Sequence, residues 1–136
     1  MATIKTKYEG NLRTFSTHLA SGNEIITDAP IDNHGKGEAF SPTDLFSAAL
    51  GACMLTVMGI AAKTHEIEFN NVTMDITKFM ALDPRRIAEI SIEFFFNGKE
   101  YSDHQKLILE RTARTCPVAM SLHPDLKQTI VFNWKQ

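Results

Sequence analysis

Apolar and polar positions along the chain predict strands near both ends and helices between them. Three short alternating segments, separated by the turns Glu9-Gly10-Asn11 and Ser21-Gly22, predict an N-terminal three-stranded meander over residues 2–8, 11–19 and 23–27. Residues 28–40 contain one proline, two glycines and few apolar side chains, so they predict a loop about a dozen residues long. Loops of that length inside a compact domain are often functional.

The apolar segment that follows has a strong helix start. Ser41 is suited to cap the helix, Pro42 to its first position, and Asp44 to bond back from the third. Apolar side chains on nearly every face predict a helix running to Lys63 or Thr64 that is buried on most sides. Polar and glycine residues interrupt the run, which favours a buried helix over a membrane span. Its small residues permit close approach of another backbone, including that of a second copy.

The second half of the chain predicts a long hairpin, two helices and a last strand. Alternation over residues 66–82 and 86–96 predicts the hairpin, turned at Asp83-Pro84 and ended by Asn97-Gly98-Lys99. Ser102 and Gln105 form a capping box for a helix over residues 103–115. We expect its inner stripe to hold Leu107, Ile108, Thr112 and Thr115.

Proline cannot continue a helix, so this second helix breaks at Cys116, before Pro117. A short helix over residues 118–122 and a strand over residues 128–134 follow. The order βββ-α-ββ-αα-β predicts an α+β fold with a mostly antiparallel sheet on a central helix, in one domain spanning residues 1–136.

Composition excludes several classes of function. The 136 residues are 43% hydrophobic and 22% charged, which is typical of an ordinary globular protein. With 14 basic and 16 acidic residues, the net charge of -2 offers no basic excess to attract nucleic acid or an anionic membrane, so we expect neither partner. Residues 1–10 lack the apolar core of an export signal, and we therefore expect a reducing cytoplasmic location.

No motif for a metal or a nucleotide is present. The five histidines are scattered without metal-ligand spacing, and the sequence has neither a Walker loop nor a Gly-x-Gly-x-x-Gly fingerprint. We expect no metal and no organic cofactor.

The two cysteines carry the candidate chemistry. Cys53 lies in the middle of the long helix, where a lone thiol is more often a small buried hydrophobe. It lies roughly 18 Å from the helix start, too far for the helix dipole, so activation requires a cationic side chain or hydrogen bonds. Cys116 sits where one helix ends and another begins, so backbone N–H groups would favour its thiolate; the alternative is a simple junction residue. In a fold this small the two sulfurs could meet.

Arginine is the cation best suited to stabilise a thiolate, and Arg13 lies in the second predicted strand. The alternative for this arginine, and for the others, is a surface charge. Among the acids, Glu38 and Asp44 flank the start of the central helix, and capping is favoured over catalysis for Asp44.

Two motifs resemble the OsmC/Ohr family, the osmotically inducible protein C and organic hydroperoxide resistance proteins. The segment Phe40-Ser-Pro-Thr-Asp-Leu-Phe-Ser-Ala-Ala-Leu-Gly-Ala-Cys53 is similar to the family's Pro-x-x-Leu…Ala-Cys helix. Cys116-Pro117-Val118, followed by Ser121-Leu122, is similar to its Cys-Pro-Val motif. The order of elements matches over nearly the whole chain.

The resemblance implies a stress-response thiol peroxidase that reduces organic hydroperoxides and needs no cofactor. By analogy Cys53 is the peroxidatic thiolate and Cys116 the thiol that resolves its sulfenic acid into a disulfide, which an external thiol then reduces. The apolar helix suits a hydrophobic hydroperoxide better than hydrogen peroxide. The family also forms an intertwined homodimer with each site at the subunit interface.

One departure from the family pattern concerns the activating residues. The family pairs an arginine from the N-terminal strands, here Arg13, with a glutamate ten residues before the cysteine, where this chain has Thr43. Asp44 and Glu38 are the candidate substitutes. The missing glutamate favours an alternative, a non-enzymatic OsmC-like protein that binds a small apolar ligand. A further alternative is a hotdog-type thioesterase, which also wraps a sheet around a long helix but would use a carboxylate on that helix and need no cysteine pair.

Overall fold

The computed structural model describes residues 1–97 and 100–134, and its elements follow the predicted order. The strands and helices are β1 (Ile4–Gly10), β2 (Arg13–His18), β3 (Glu24–Asp28), α1 (Pro42–Thr64), β4 (Val72–Ala81), β5 (Arg86–Phe96), α2 (Asp103–Arg114), α3 (Pro117–Ser121) and β6 (Lys127–Asn133). The α+β class is confirmed. Residues 1–46 and 47–136 form two compact units, which are described separately.

The N-terminal unit contains the predicted meander. Strands β1, β2 and β3 form an antiparallel sheet in that order, with Arg13 opposite Asp28. The first turn lies later than predicted, at Asn11 and Leu12, whose φ angles are 54° and 63°. A two-residue hairpin turn that matches the strand twist needs positive φ at both positions, so Leu12 lies outside β2. In the loop, Ile31–Asn33 forms one turn of 3-10 helix.

Helix α1 begins at Pro42 as predicted, with a reciprocal cap. The Asp44 backbone N–H donates to Ser41 Oγ, and the Ser41 backbone N–H donates to Asp44 Oδ2, both at 3.0 Å. The expectation of burial on most sides is wrong for the single chain. The buried positions form one stripe: Ser47, Leu50, Gly51, Met54, Met58 and Ala62. Ile60, on another face, is 62% exposed.

By length and composition alone, α1 would also qualify as a membrane span. The core helices of soluble proteins pass the same test, and a third of its most apolar window is buried inside the chain.

The C-terminal unit contains the main core. Strand β5 lies between antiparallel β4 and parallel β6, so both of its edges are paired. Its bounds match the prediction, and Ile90, Ile92 and Phe94 on its inner face are fully buried. The buried stripe of α1 belongs to the same apolar cluster. The predicted turn Asn97-Gly98-Lys99 includes Gly98 and Lys99, which lie outside the described residues.

Two predictions in this unit are wrong in detail. Strand β4 begins at Val72, because the residues after α1 first close the helix: the Ile67 N–H donates to the Ala62 carbonyl. The inner stripe of α2 is formed by Leu109 and Ala113, both fully buried, whereas Leu107 is 45% exposed. The buried face of α2 lies about one residue further along the chain than predicted, because a few apolar side chains in a short helix define its buried face poorly.

Aromatic side chains attach β6 to its neighbours. The Trp134 ring stacks on Phe96 at a centroid distance of 3.9 Å, and Trp134 Nε1 donates to Glu110 Oε2 on α2 at 2.9 Å. Gln128 Nε2, on β6, donates to the Ala119 carbonyl on α3 at 3.2 Å. These contacts link the C-terminal strand region to both helices that flank Cys116.

Gly51 and Gly59 on α1 make a matched test of this packing. A Cβ at Gly51 would lie 2.6 Å from Ile76 Cδ1 and 2.7 Å from Met74 Cε, whereas one at Gly59 would meet its nearest atom, on Phe69, at 4.0 Å. Both alanine variants gain the same helix propensity, so their difference reports overpacking. We expect Gly59→Ala to unfold at a higher urea concentration than Gly51→Ala, with a difference in unfolding free energy of about 1 kcal/mol, because the contacted ends of Ile76 and Met74 can move only in part. Equal stabilities would contradict the packing of α1 on β4.

Candidate dithiol site

Cys53 projects from the middle of α1 and packs against the apolar core while remaining partly exposed. Its helical neighbour Met54 is fully buried. A continuous 23-residue helix allows its middle little freedom to shift, so the backbone that carries this thiol is held firmly. A ligand that reaches Cys53 therefore meets a thiol beside apolar surface.

Cys116 is fully buried and caps α3. Its sulfur accepts a hydrogen bond from the Ala119 backbone N–H at 3.3 Å, and the Val118 backbone amide also lowers the pKa of this thiol. Pro117, at the first helical position, has no N–H and a φ angle suited to a helix start. The Cys-Pro-Val sequence thus directs two free backbone donors at one sulfur.

The environment of Cys116 favours its protonated form. Burial raises the pKa of the Cys116 thiol, the hydrogen bonds from Ala119 and Val118 lower it, and the neighbouring Cys53 raises it further. The net change in this pKa is upward. The helix N-terminus thus acts in the expected direction, since its amides lower the pKa, but the loss of hydration on burial has the larger effect on the Cys116 thiol.

The two thiols are both free, and Cys53 is a neighbour of Cys116 that raises the pKa of its thiol. The structure thus brings together two residues that are 63 positions apart in sequence. Neighbouring thiols can join in a disulfide once their sulfurs reach bonding distance. Cys53 is partly exposed, whereas Cys116 is fully buried.

Arg13 lies in the N-terminal unit, where two carboxylates hold it. Its Nε donates to Asp28 Oδ1 at 2.7 Å and its Nη2 to Asp28 Oδ2 at 2.8 Å, a bidentate pair. The same Nη2 donates to Glu38 Oε1 at 3.0 Å. Glu38, one of the two predicted acids, therefore does contact Arg13.

Asp28 is the member of this group that the sequence analysis missed. It is 1% exposed, and its Oδ2 also accepts the Glu38 backbone N–H at 3.1 Å. The hydrogen bond from Arg13 lowers the pKa of Asp28, and the same bond raises that of Arg13. The register of the meander was the available signal, because opposite charges directly across a strand pair attract each other.

Asp44 caps α1 through Ser41, the role that the sequence analysis favoured for it. Thr43, which stands where the family has glutamate, shares a 3.2 Å hydrogen bond with the Ser41 hydroxyl. The catalytic assignments of Arg13 and Asp44 stay predictions. Among residues 1–97 and 100–134, no three histidine, cysteine or acidic side chains are grouped so that they could hold a metal ion.

The site is thus of the dithiol class, an accessible thiol touching a buried one on an α+β scaffold. Residues 35–131 match the family model described as OsmC-like protein, and the chain belongs to this family. Both sequence motifs, including the two cysteines, fall within the matched range. No curated protein matches the chain.

Solved structures support the family assignment. A protein with a proposed role in osmotic stress and detoxification from Psychrobacter arcticus 273-4 is 53% identical, with 98% of this chain and 96% of that one covered and a TM-score of 0.94. An OsmC-like protein from Mycoplasma pneumoniae is 18% identical, with 98% and 96% covered and a TM-score of 0.81. An organic hydroperoxide resistance protein from Legionella pneumophila is 15% identical, with 98% of each chain covered and a TM-score of 0.76. The last two show likeness of fold.

The Arg13–Asp28 pair predicts how stability depends on pH. The pKa of Asp28 is lower in the folded chain than its ordinary value of 3.8, so its contribution is complete above that value and is lost as pH falls through the folded pKa. We expect the urea concentration at the midpoint of unfolding to decrease as the pH is lowered below about 4. Asp28→Asn should flatten this fall, while Glu24→Gln, at an exposed position on the same strand, should leave it unchanged. If wild type and Asp28→Asn lost stability equally as the pH falls, the Arg13–Asp28 pair would not be the source of this pH dependence.

Proposed function

We propose that the protein is a cysteine-based peroxidase that reduces organic hydroperoxides and cycles between a dithiol and a Cys53–Cys116 disulfide. The observation that carries the proposal is the contact between a partly exposed and a fully buried thiol. The difference in exposure assigns the roles, because a peroxide can reach Cys53 but not Cys116. Membership of the OsmC-like family, in which some solved structures are named organic hydroperoxide resistance proteins, supports a redox role.

The reaction begins at Cys53. Its thiolate attacks one peroxide oxygen, the O–O bond breaks, and the departing alkoxide takes a proton to leave as an alcohol. Cys53 is then a sulfenic acid. The apolar core beside this thiol suits a hydrophobic peroxide better than hydrogen peroxide.

Cys116 completes the oxidation. Its sulfur attacks the sulfenic sulfur, the S–O bond breaks, and the hydroxyl leaves as water with the Cys116 proton. The contact already present between the side chains lets this step outpace further oxidation of Cys53. An external thiol reductant then supplies two electrons and two protons and restores both thiols.

Arg13 is our proposed activating cation. The resemblance to the family assigns it this role, and the bidentate pair with buried Asp28 fixes the orientation of the guanidinium. We also propose a homodimer, which would cover apolar side chains on α1 such as Ile60. A cytoplasmic location would supply the thiol reductant.

A thiol count tests the peroxidase function. Reduced protein is mixed with cumene hydroperoxide, and free thiols are measured after denaturation with a chromogenic thiol reagent. We expect wild type to lose both thiols rapidly. Cys53→Ser should keep its remaining thiol. Cys116→Ser should lose the Cys53 thiol without forming a disulfide within the chain. No loss at catalytic protein concentrations would favour the small-molecule binder. Hydrolysis of acyl thioesters by a variant lacking both cysteines would favour the thioesterase.

The role of Arg13 has its own test. Arg13→Lys keeps the charge that Asp28 needs but removes the planar fork, so the chain should remain folded. We expect the rate of thiol loss to fall at least about tenfold, equivalent to roughly 1.4 kcal/mol of activation free energy. Arg111→Gln, at an exposed position on α2, is the matched control and should react at the wild-type rate. An unchanged rate in Arg13→Lys and in Arg13→Gln would remove this arginine from the mechanism.

A further inference from the structure

The Cys116 sulfur holds two structural contacts at once. It accepts the Ala119 backbone N–H at the start of α3, and it has Cys53 on α1 as a neighbouring thiol. Within α3, Ala119 is at the third position, where an N–H has no helical carbonyl to bond. The sulfur is therefore the cap of this helix as well as half of the dithiol site.

Helix α3 depends on such contacts. It has five residues, far fewer than an isolated helix needs to persist in water. Its other supports include the Gln128 side chain on the Ala119 carbonyl, the Ser121 hydroxyl on the Pro117 carbonyl, and the packing of Val118 and Leu122 against the core. Removing the cap takes away one of these supports.

Disulfide formation requires the two sulfurs to approach more closely than in their reduced contact. Cys53 is carried by the middle of a 23-residue helix, whereas Cys116 lies at the junction between α2 and the five-residue α3. The junction carries the shorter helix, so we expect the Cys116 sulfur to make most of the movement. A sulfur drawn towards Cys53 leaves the position in which it accepts the Ala119 N–H.

We infer that closing the Cys53–Cys116 disulfide removes the cap of α3 and loosens residues 117–122, so that oxidation of the site is coupled to opening of the chain around the buried sulfur. This inference rests on the proposed function for the origin of the disulfide. The proposed function also explains how the loosening would be used. Cys116 and Ala119 are 0% and 6% exposed in the reduced structure, and an external thiol needs a path to the disulfide. Loosening α3 uncovers that sulfur only in the state that requires reduction.

The experiment measures amide hydrogen exchange, resolved by NMR, in reduced and oxidised protein. Oxidation is carried out once with cumene hydroperoxide and once with diamide, a reagent that accepts two hydrogens from a dithiol and leaves a disulfide. Loss of two hydrogens from the intact mass shows that the disulfide has formed. We expect the Ala119 amide to exchange about fivefold faster after oxidation, with β5 amides unchanged. Cys53→Ser treated in the same way should show no acceleration.

A second comparison isolates the cap without a disulfide. Cys116→Ser keeps an acceptor for the two amides, whereas Cys116→Ala has none. The Ala119 amide should exchange about fivefold faster in the alanine variant. If Cys116→Ala does not fold, the reduced and oxidised wild-type proteins decide the question alone.

The outcomes separate this inference from the proposed function. A disulfide formed by diamide but not by the hydroperoxide, with faster Ala119 exchange, would reject the peroxidase and support the coupling. A disulfide with unchanged Ala119 exchange would overturn the coupling whatever the peroxide does. Failure of diamide to form any disulfide would overturn it too, because the sulfurs would then lack the contact on which it depends.

Discussion

The contact between two sulfurs, one anchored by a long helix and the other by the amides of a short one, is the constraint on which the rest of the site depends. It requires α1 to pack along the core and α2 to end at Arg114, just before Cys116. The stacked aromatic side chains and the bond from Trp134 to Glu110 hold β6 against α2, so the second sulfur has a defined position. The core of this unit thus positions the site.

The two thiols differ because their surroundings differ, although their chemistry is the same. Cys53 is partly exposed, while Cys116 is sealed and its pKa is raised by burial in spite of two backbone donors. In the proposed mechanism, this difference in exposure separates the attacking thiol from the resolving one. A helix N-terminus alone would have indicated the opposite assignment.

The N-terminal unit is organised around another polar contact. Asp28 is almost fully buried at the end of β3, and Arg13 satisfies it with two parallel hydrogen bonds. A buried carboxylate without such a partner would be costly, so the pair also fixes the register of the meander. Glu38 accepts a hydrogen bond from the same guanidinium, which attaches the loop over residues 28–40 to Arg13.

The sequence by itself determined the order of elements, the bounds of β5, the caps of α1 and α2, and the two cysteine motifs. These features depend on local signals: alternation, capping side chains and proline. It placed the first turn, the start of β4 and the stripe of α2 less well, because left-handed residues such as Leu12 and the rotation of a short helix depend on packing. Only the tertiary structure decided that Cys53 and Cys116 are neighbours, that Asp28 is almost fully buried where it pairs with Arg13, and that burial raises the pKa of the Cys116 thiol. Each of those results depends on distance or solvent exclusion in the folded chain, which no local pattern encodes.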